Sequence, residues 1–331
     1  MLLDPATLFG PHLACPARGQ TGQGNSRLHS RKDRRFMGTA CHKTVSATPG
    51  PACYRRRPSA ETVSRVVTLM AHGGPLQALG VAFGEDERTV ACGLGRAGGQ
   101  GQAVQAHRVE QARDLGQGQA DESRVKNQGG LVGMALAMLV KTRLGWAGEV
   151  SEPRDMTLIR PLIQRVRAGA LHRPLLFCPD GLCSSSRAIR ETCRDPVRTG
   201  EPGRPRLRPW RNRCAAQVVQ RYAQRRVIAI ERRIGEGTPT RVETRRRHSP
   251  GAGVIKTADI ARLHATCRER RASLTRRGRA LARRTETLPH GRHRLGTVYH
   301  FCTPHARLSA VGITTPAMAA GITDHCWSVR A

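Results

Sequence analysis

Apolar residues recur at two different spacings along the chain, and the change comes near residue 118. Between residues 59 and 98 they recur at three- and four-residue steps, which is typical of amphipathic helices. The positions that set this step in the first helix are Val63, Val66, Val67 and Met70. A second helix over 76–83 and a third from Asp86 follow. We predict a helix-turn-helix domain over 59–98, with a plain three-helix bundle as an equally weighted alternative.

After residue 118 short apolar runs alternate with glycine-containing turns, as in strands. The elements predicted from these runs are three meandering strands, a helix, a strand and a second helix, at 118–126, 131–140, 143–150, 155–167, 174–180 and 184–193. This order predicts an α/β fold over 118–331 with a ribonuclease-H-like core, a mixed five-stranded sheet flanked by helices. In such an order the first and fourth strands lie side by side.

Two acids occupy these neighbouring strands, Asp121 in the first and Asp180 at the tip of the fourth. Carboxylates brought together in a basic chain repel unless a divalent cation neutralises them, and oxygen ligands favour Mg²⁺ or Mn²⁺. That pair of acids indicates metal-assisted phosphoryl transfer. The alternative is that Asp180 only caps the helix that follows it.

Two further segments complete the organisation. Residues 1–58 are rich in Gly, Pro, Ser and Arg and predict a basic arm, in which Cys15 and Cys41 resemble the remains of a zinc ribbon. A structural zinc site needs four ligands, so we expect no complete zinc site there. Residues 99–117 are rich in Gly and Gln and predict a linker, with a short helix near 104–111 as the alternative.

The excess of positive charge indicates that the binding partner is a polyanion. The chain has 56 Lys and Arg against 24 acids, a net charge of +32, and aromatics make up only 3 %. This composition favours double-stranded DNA gripped by its phosphates over base-stacking single-strand readers. The arginines predicted to contact DNA are Arg88, Arg204, Arg206, Arg208, Arg211, Arg245, Arg246 and Arg247. We expect Arg245–Arg247 to lie in a loop.

Other features bear on location. No run of eighteen apolar residues predicts a membrane span, and Asp4 stands where a signal peptide would carry a cation. Eleven scattered cysteines fit a reducing compartment. We therefore expect a cytoplasmic, nucleoid-associated bacterial protein with no membrane or small-molecule partner, and a homo-oligomer stays open.

Five motifs together resemble a bacterial insertion-sequence transposase of the DDE type. They are Gln119–Glu122, Cys178–Gly181, Thr199–Leu207, Gln217–Tyr222 and Thr315–Trp327. The resemblance runs from about Cys15 to Arg330. It implies a zinc ribbon, a helix-turn-helix and a ribonuclease-H-like core. It also implies Mg- or Mn-dependent DNA cleavage and strand transfer at the element's ends, with Asp121 and Asp180 as two of three metal-binding acids.

The departures from that family are equally specific. The third acid is expected on a late helix, and Ala261 occupies its position. Asp259 is about 200° round the helix from Ala261, so we predict that it points away from the site. Thiol positions of the ribbon hold Gly10 and Gly38, and Gly93 stands where the reader helix expects bulk. These losses indicate a degenerate copy.

Two alternatives to a catalytically impaired transposase remain. One is a non-catalytic DNA-binding protein or transposition inhibitor that occupies element ends. The other is a basic RNA-associated protein, which the paired acids and the helix-turn-helix disfavour.

Overall fold

The computed structural model divides the chain into two compact units, one up to Val66 and the other from Val67 to Val329. The residues that the structure describes are 4–7, 12, 14–17, 20, 22–33, 35–46, 59–170, 175–179, 183–197, 200, 203–210, 213–224, 226–248, 254–274, 282, 284–310 and 312–329. No helix in these ranges is long and apolar enough to cross a membrane.

The first unit contains a small antiparallel sheet. Its strands are β1 (Ser26–Ser30), β2 (Arg35–Gly38) and β3 (Thr44–Ser46), paired in that order. Phe36 is buried and Val45 packs against it. The basic arm predicted for 1–58 therefore holds regular structure, which two apolar side chains and backbone pairing suffice to order locally.

Three helices follow in the chain: α1 (Ala60–Ala71), α2 (Leu76–Phe83) and α3 (Glu87–Val104). Asp86 caps α3, since its side chain accepts from the amides of Arg88 and Thr89. The helix continues past Gly93 to Val104 and is followed by a π-helical turn, Gln105–Val109. The linker predicted for 99–117 is thus wrong over its first eleven positions.

The meander and the three elements after it have nearly the predicted bounds. The meander is β4 (Gln117–Asn127), β5 (Gly130–Leu139) and β6 (Gly145–Ser151). It is followed by α4 (Met156–Gly169), β7 (Leu175–Pro179) and α5 (Cys183–Thr192). Alternation of apolar residues and the glycine turns were sufficient to place all six.

The remaining elements are less regular in sequence. The strands are β8 (Arg194–Val197), β9 (Arg206–Pro209), β10 (Arg213–Ala223) and β11 (Arg226–Glu236). The helices are α6 (Pro239–His248), α7 (Ala258–Glu269), α8 (Thr287–Thr297), which continues as a π-helical turn to Cys302, and α9 (Pro316–Ala319). Arg245–Arg247 lie in α6 rather than in a loop.

In the described part of the chain the main sheet has six strands in the order β11-β10-β7-β4-β5-β6. The mixed α/β class is therefore confirmed, with one strand more than expected because β11 folds back on β10. The predicted neighbours β4 and β7 pair in parallel, Ala120 opposite Pro179, and β7 pairs in parallel with β10.

Two apolar cores enclose β4. One contains Trp146 and Ile159 together with Ile189, so it lies between the sheet and α4 and α5. The other contains Val125, Ile260 and Leu288, which places α7 and α8 on the opposite face. A strand covered on both faces holds its side chains rigidly, and β4 is the strand that carries Asp121.

Candidate metal and nucleic-acid site

Asp121 lies in the middle of β4 on the face covered by α7, and its side chain is 23 % exposed. The next residue, Glu122, is buried, accepts a hydrogen bond from Ser185 of α5 and lies 3.7 Å from Arg154. The period of two in a strand puts these adjacent acids on opposite faces of the sheet. Only Asp121 therefore has a carboxylate that solvent can reach.

His264 of α7 fixes the backbone at this position. Its ring nitrogen Nε2 lies 3.0 Å from the carbonyl oxygen of Asp121 and 4.0 Å from Oδ2. A carbonyl oxygen only accepts, so Nε2 carries the proton and donates it. His264 itself is fully buried. An imidazole nitrogen that donates to a carbonyl has no lone pair to offer a metal, so His264 positions Asp121 rather than sharing a ligand set with it.

Gln119 fixes the beginning of α7 against the same strand. Its amide nitrogen donates to Oδ2 of Asp259 over 3.3 Å, and its amide oxygen accepts from the backbone N–H of Ile260 at 3.0 Å. Gln119 is fully buried. α7 therefore turns Asp259 toward β4 at Gln119, and the expectation that Asp259 does not serve as the third metal ligand stays a prediction.

Asp259 is nonetheless committed to other partners. Its carboxylate forms an ion pair with Arg143, whose backbone has a left-handed conformation (φ 59°) in the turn before β6. Lys256 and Arg307 lie 3.9 and 3.7 Å away. A buried carboxylate is stable when paired and hydrogen-bonded in this manner. Because cationic side chains already lie against its carboxylate, Asp259 is poorly placed to ligate a metal cation.

Ala261, at the position of the expected third acid, is exposed on α7. The inward face of that helix instead carries Asp259, Ile260, Leu263, His264 and Cys267. His264 is the polar residue of this face that the sequence analysis did not name, and helical periodicity alone does not show which face of α7 packs on β4. Asp180 lies outside the described residues.

Among the described residues no group of three or more His, Cys, Asp or Glu side chains could hold a metal ion. Asp121 has oxygen donors and partial exposure, as a Mg²⁺ ligand requires. The late helix adds no free carboxylate to it. The donor set on the described elements therefore does not fit a two-metal centre.

The described arginines among those predicted to contact DNA lie in three places: near β9, in α3 and in α6. Arg204, Arg206 and Arg208 are exposed at and just before β9, and Arg88 is exposed in the first turn of α3. Arg211 lies outside the described residues.

The arginines of α6 are partly neutralised. Arg246 contacts Glu243, and Arg247 lies 2.9 Å from it. These two guanidinium groups lower the pKa of Glu243 to about 2. Arg245 instead lines a pocket of about 180 Å³ with Arg241 and Cys214. The β9 surface therefore keeps more uncompensated positive charge than α6.

Cys15 and Cys41 in the first unit are neighbours. A hydrogen bond to Cys41 raises the pKa of the Cys15 thiol, while the backbone of Lys43, and then Cys15, lower the pKa of Cys41. Both thiols are free. At Gly38 a Cβ would lie 3.0 Å from the sulfur of Cys41, so the chain approaches this thiol closely.

No protein-family model matches the sequence, and no curated protein matches it.

Proposed function

We propose that this chain binds double-stranded DNA as a protein of the DDE-transposase type whose strand-cleavage chemistry is impaired. The observation that carries the proposal is the parallel pairing of β4 with β7, in which Ala120 lies opposite Pro179. Asp121 is the next residue of β4, and Asp180 follows Pro179 in the sequence but lies outside the described residues. This register is what a shared catalytic cation at Asp121 and Asp180 would require.

The order of strands supports a ribonuclease-H-like core. Counted along the second unit, the first strand, β4, lies between the second, β5, and the fourth, β7, with β6 and β10 outside them. Three helices, α1 to α3, precede β4 in the chain. Of these, only the start of α3 supports the helix-turn-helix assignment. Beyond Leu94 that helix contributes buried positions, Gly98 and Gly101.

The donor set supports impairment. Asp121 and Asp180 would hold one Mg²⁺ or Mn²⁺, and such ions stabilise charge on attacking and leaving oxygens. The late helix offers methyl-bearing Ala261 at the expected ligand position and an ion-paired Asp259. A second ion would therefore lack its protein ligand.

A non-catalytic DNA-binding protein, for example one that occupies element ends as an inhibitor, is the second candidate. The ion pairs of Asp259 with Arg143 and Arg307 favour it, because they consume the acid nearest to β4 on α7. Both candidates place the protein on bacterial DNA in the cytoplasm.

Salt-dependent binding of the full chain to duplex DNA tests the DNA binding that both candidate functions share. The variant Arg204→Gln/Arg206→Gln/Arg208→Gln should lower the slope of log K against log salt by about 0.9 for each phosphate contact removed. The matched control removes three exposed arginines of α4 and α5, Arg160, Arg187 and Arg190, which pair with glutamates. Equal losses from both triple variants, or tighter binding to structured RNA, would contradict the proposal.

A further inference from the structure

A small buried cavity lies between the meander, α7 and α8. Its volume is about 30 Å³, and its lining includes neither Asp121 nor His264. Its polar lining comes from Gln105, Cys267, Arg292, His293, Tyr299 and His300. A space of this size accepts one monatomic ion or a water molecule.

The hydrogen bonds around the cavity fix the tautomers of its two histidines. The backbone N–H of Gly145 donates to Nε2 of His300 over 2.9 Å, and the guanidinium of Arg292 donates to Nε2 of His293 over 2.8 Å. Both Nε2 atoms are therefore acceptors. Each neutral ring must then carry its proton on Nδ1.

These protons have no acceptor in the described part of the chain. Nδ1 of His293, Nδ1 of His300 and Nε of Arg292 are all buried without a hydrogen-bond partner there. Both histidines are only 5 % exposed. Three N–H donors at one cavity are costly to bury unless something accepts from them.

The charge around the cavity selects the acceptor. Cys267 lines the cavity, and the arginines whose charges act on its thiol are Arg268, Arg270, Arg271 and Arg292. The acids whose charges act on Arg292 are Glu149 and Glu110, and both already pair with Arg165, at 2.8 and 3.2 Å. A water molecule would have to donate as well as accept. An ion that only accepts matches a lining of donors in a positive environment.

We propose that this cavity binds one halide ion, held by the N–H groups of His293, His300 and Arg292. All three donors belong to α8 and its π-helical continuation, so the ion lies against this helix. Its chemistry is that of chloride or bromide: monovalent, spherical and acceptor-only. This site is independent of the proposed DNA binding.

Gly296 offers a way to close the cavity. A Cβ there would lie 3.7 Å from Cε1 and 3.9 Å from Nδ1 of His300, which is ordinary contact distance. Gly296→Ala therefore fits the fold while filling space beside the donor. Gly95→Ala is the matched control, since Gly95 is also in a helix and its added methyl meets nothing within 4 Å.

Thermal unfolding of the full chain in sodium chloride and in sodium gluconate, at equal ionic strength, tests the site. Above the dissociation constant, each tenfold rise in chloride should lower the unfolding constant about tenfold relative to gluconate. Gly296→Ala should abolish this difference and Gly95→Ala should keep it. A chloride effect that survives in Gly296→Ala belongs to the basic surface and overturns the proposal.

Bromide scattering from crystals of the unmodified protein gives a second test that needs no variant. An anomalous peak within hydrogen-bond distance of Nδ1 of His300 supports the site. A water molecule in that position, or an empty cavity, overturns it even if the Gly296→Ala protein does not fold.

Discussion

The imidazole of His264 lies against the backbone of Asp121, with Nε2 3.0 Å from the carbonyl oxygen and 4.0 Å from Oδ2. One side chain of α7 therefore lies against both the backbone and the carboxylate of Asp121, the strand residue that the proposed chemistry needs.

His264→Ala should destabilise the protein by about 2–4 kcal/mol, because it leaves a cavity and removes a buried donor from the Asp121 carbonyl. His264→Gln retains an N–H donor and should lose less than half as much. Urea denaturation of both variants measures the difference. Equal losses would show that the packing of the ring, and not its hydrogen bond, holds the strand.

The unmodified chain should show negligible strand cleavage with Mg²⁺ or Mn²⁺ and its own element ends, because α7 lacks a free carboxylate beside Asp121. Ala261→Glu should restore little or no cleavage, since position 261 is exposed and lies about 200° round α7 from Asp259, the residue that faces β4. Strong rescue by Ala261→Glu would show that α7 presents this position to Asp121. Cleavage is read from nicked duplexes on denaturing gels. Robust cleavage by the unmodified chain would show that the third acid lies elsewhere.

Gly95 and Gly98 lie about one turn apart in α3, and we expect their replacement by alanine to have opposite effects on stability. At Gly98 a Cβ would lie 2.6 Å from both Cβ and O of His290 in α8, so Gly98→Ala should cost about 1–3 kcal/mol through overpacking. Gly95→Ala should stabilise by up to about 1 kcal/mol, because an exposed helical alanine loses less backbone entropy on folding. Thermal melts of the two variants show whether each substitution stabilises or destabilises the protein. Stabilisation by both would mean that α3 and α8 do not pack closely.

Stability should fall as pH drops below neutrality. Burial, together with the charge of Arg292, lowers the pKa of His293 and of His300 to about 3. Between about 6.5 and 3 the unfolded chain binds protons that the folded chain does not. Each pH unit in this window then removes up to about 1.4 kcal/mol per histidine from the free energy of unfolding.

His300→Gln keeps an acceptor for the N–H of Gly145 and should reduce that slope. The same substitution at the exposed His107 controls for the loss of an imidazole. Denaturation midpoints between pH 4 and 7 measure the slopes. An unchanged slope in His300→Gln would argue against its burial in the neutral form.

Purified protein should hold less than one zinc ion per chain, because Cys15 and Cys41 provide two of the four ligands of a structural site. Elemental analysis measures the ratio. One tightly bound zinc that disappears in Cys15→Ser would show that the first unit is a metal-stabilised domain.

The sequence was most informative where apolar alternation and glycine turns coincide. Between Gln117 and Thr192 the strands and helices fell near their predicted positions, and the pairing of β4 with β7 followed from their order. Each strand there has a face that must be buried. The registers and the strand order follow from that requirement.

The sequence was misleading where glycine serves packing instead of flexibility. The glycines of 99–117 suggested a linker, yet Gly101, like Gly98 before it, lies where α3 approaches the backbone of α8 too closely for any Cβ. A single sequence does not distinguish these uses, because the reason for the glycine lies about 190 residues further along the chain.

The orientation of α7 was also beyond the sequence. Helical periodicity gave the angle between Asp259 and Ala261 correctly but not which of the two faces β4. That choice depends on Gln119, whose amide holds both the carboxylate of Asp259 and the N–H of Ile260. A hydrogen bond across 140 positions leaves no local pattern.

The hairpin of β10 and β11 has a consequence of another kind. β10 pairs with β7 only through Arg213–Ala215, whereas its pairing with β11 continues to the turn at Gln224. β11 is exposed or half-buried along its whole length. A two-stranded ribbon with few apolar contacts is marginally stable alone. Its far end can therefore open and reclose while the rest of the sheet stays folded, so this part of the protein has a local stability well below that of the whole.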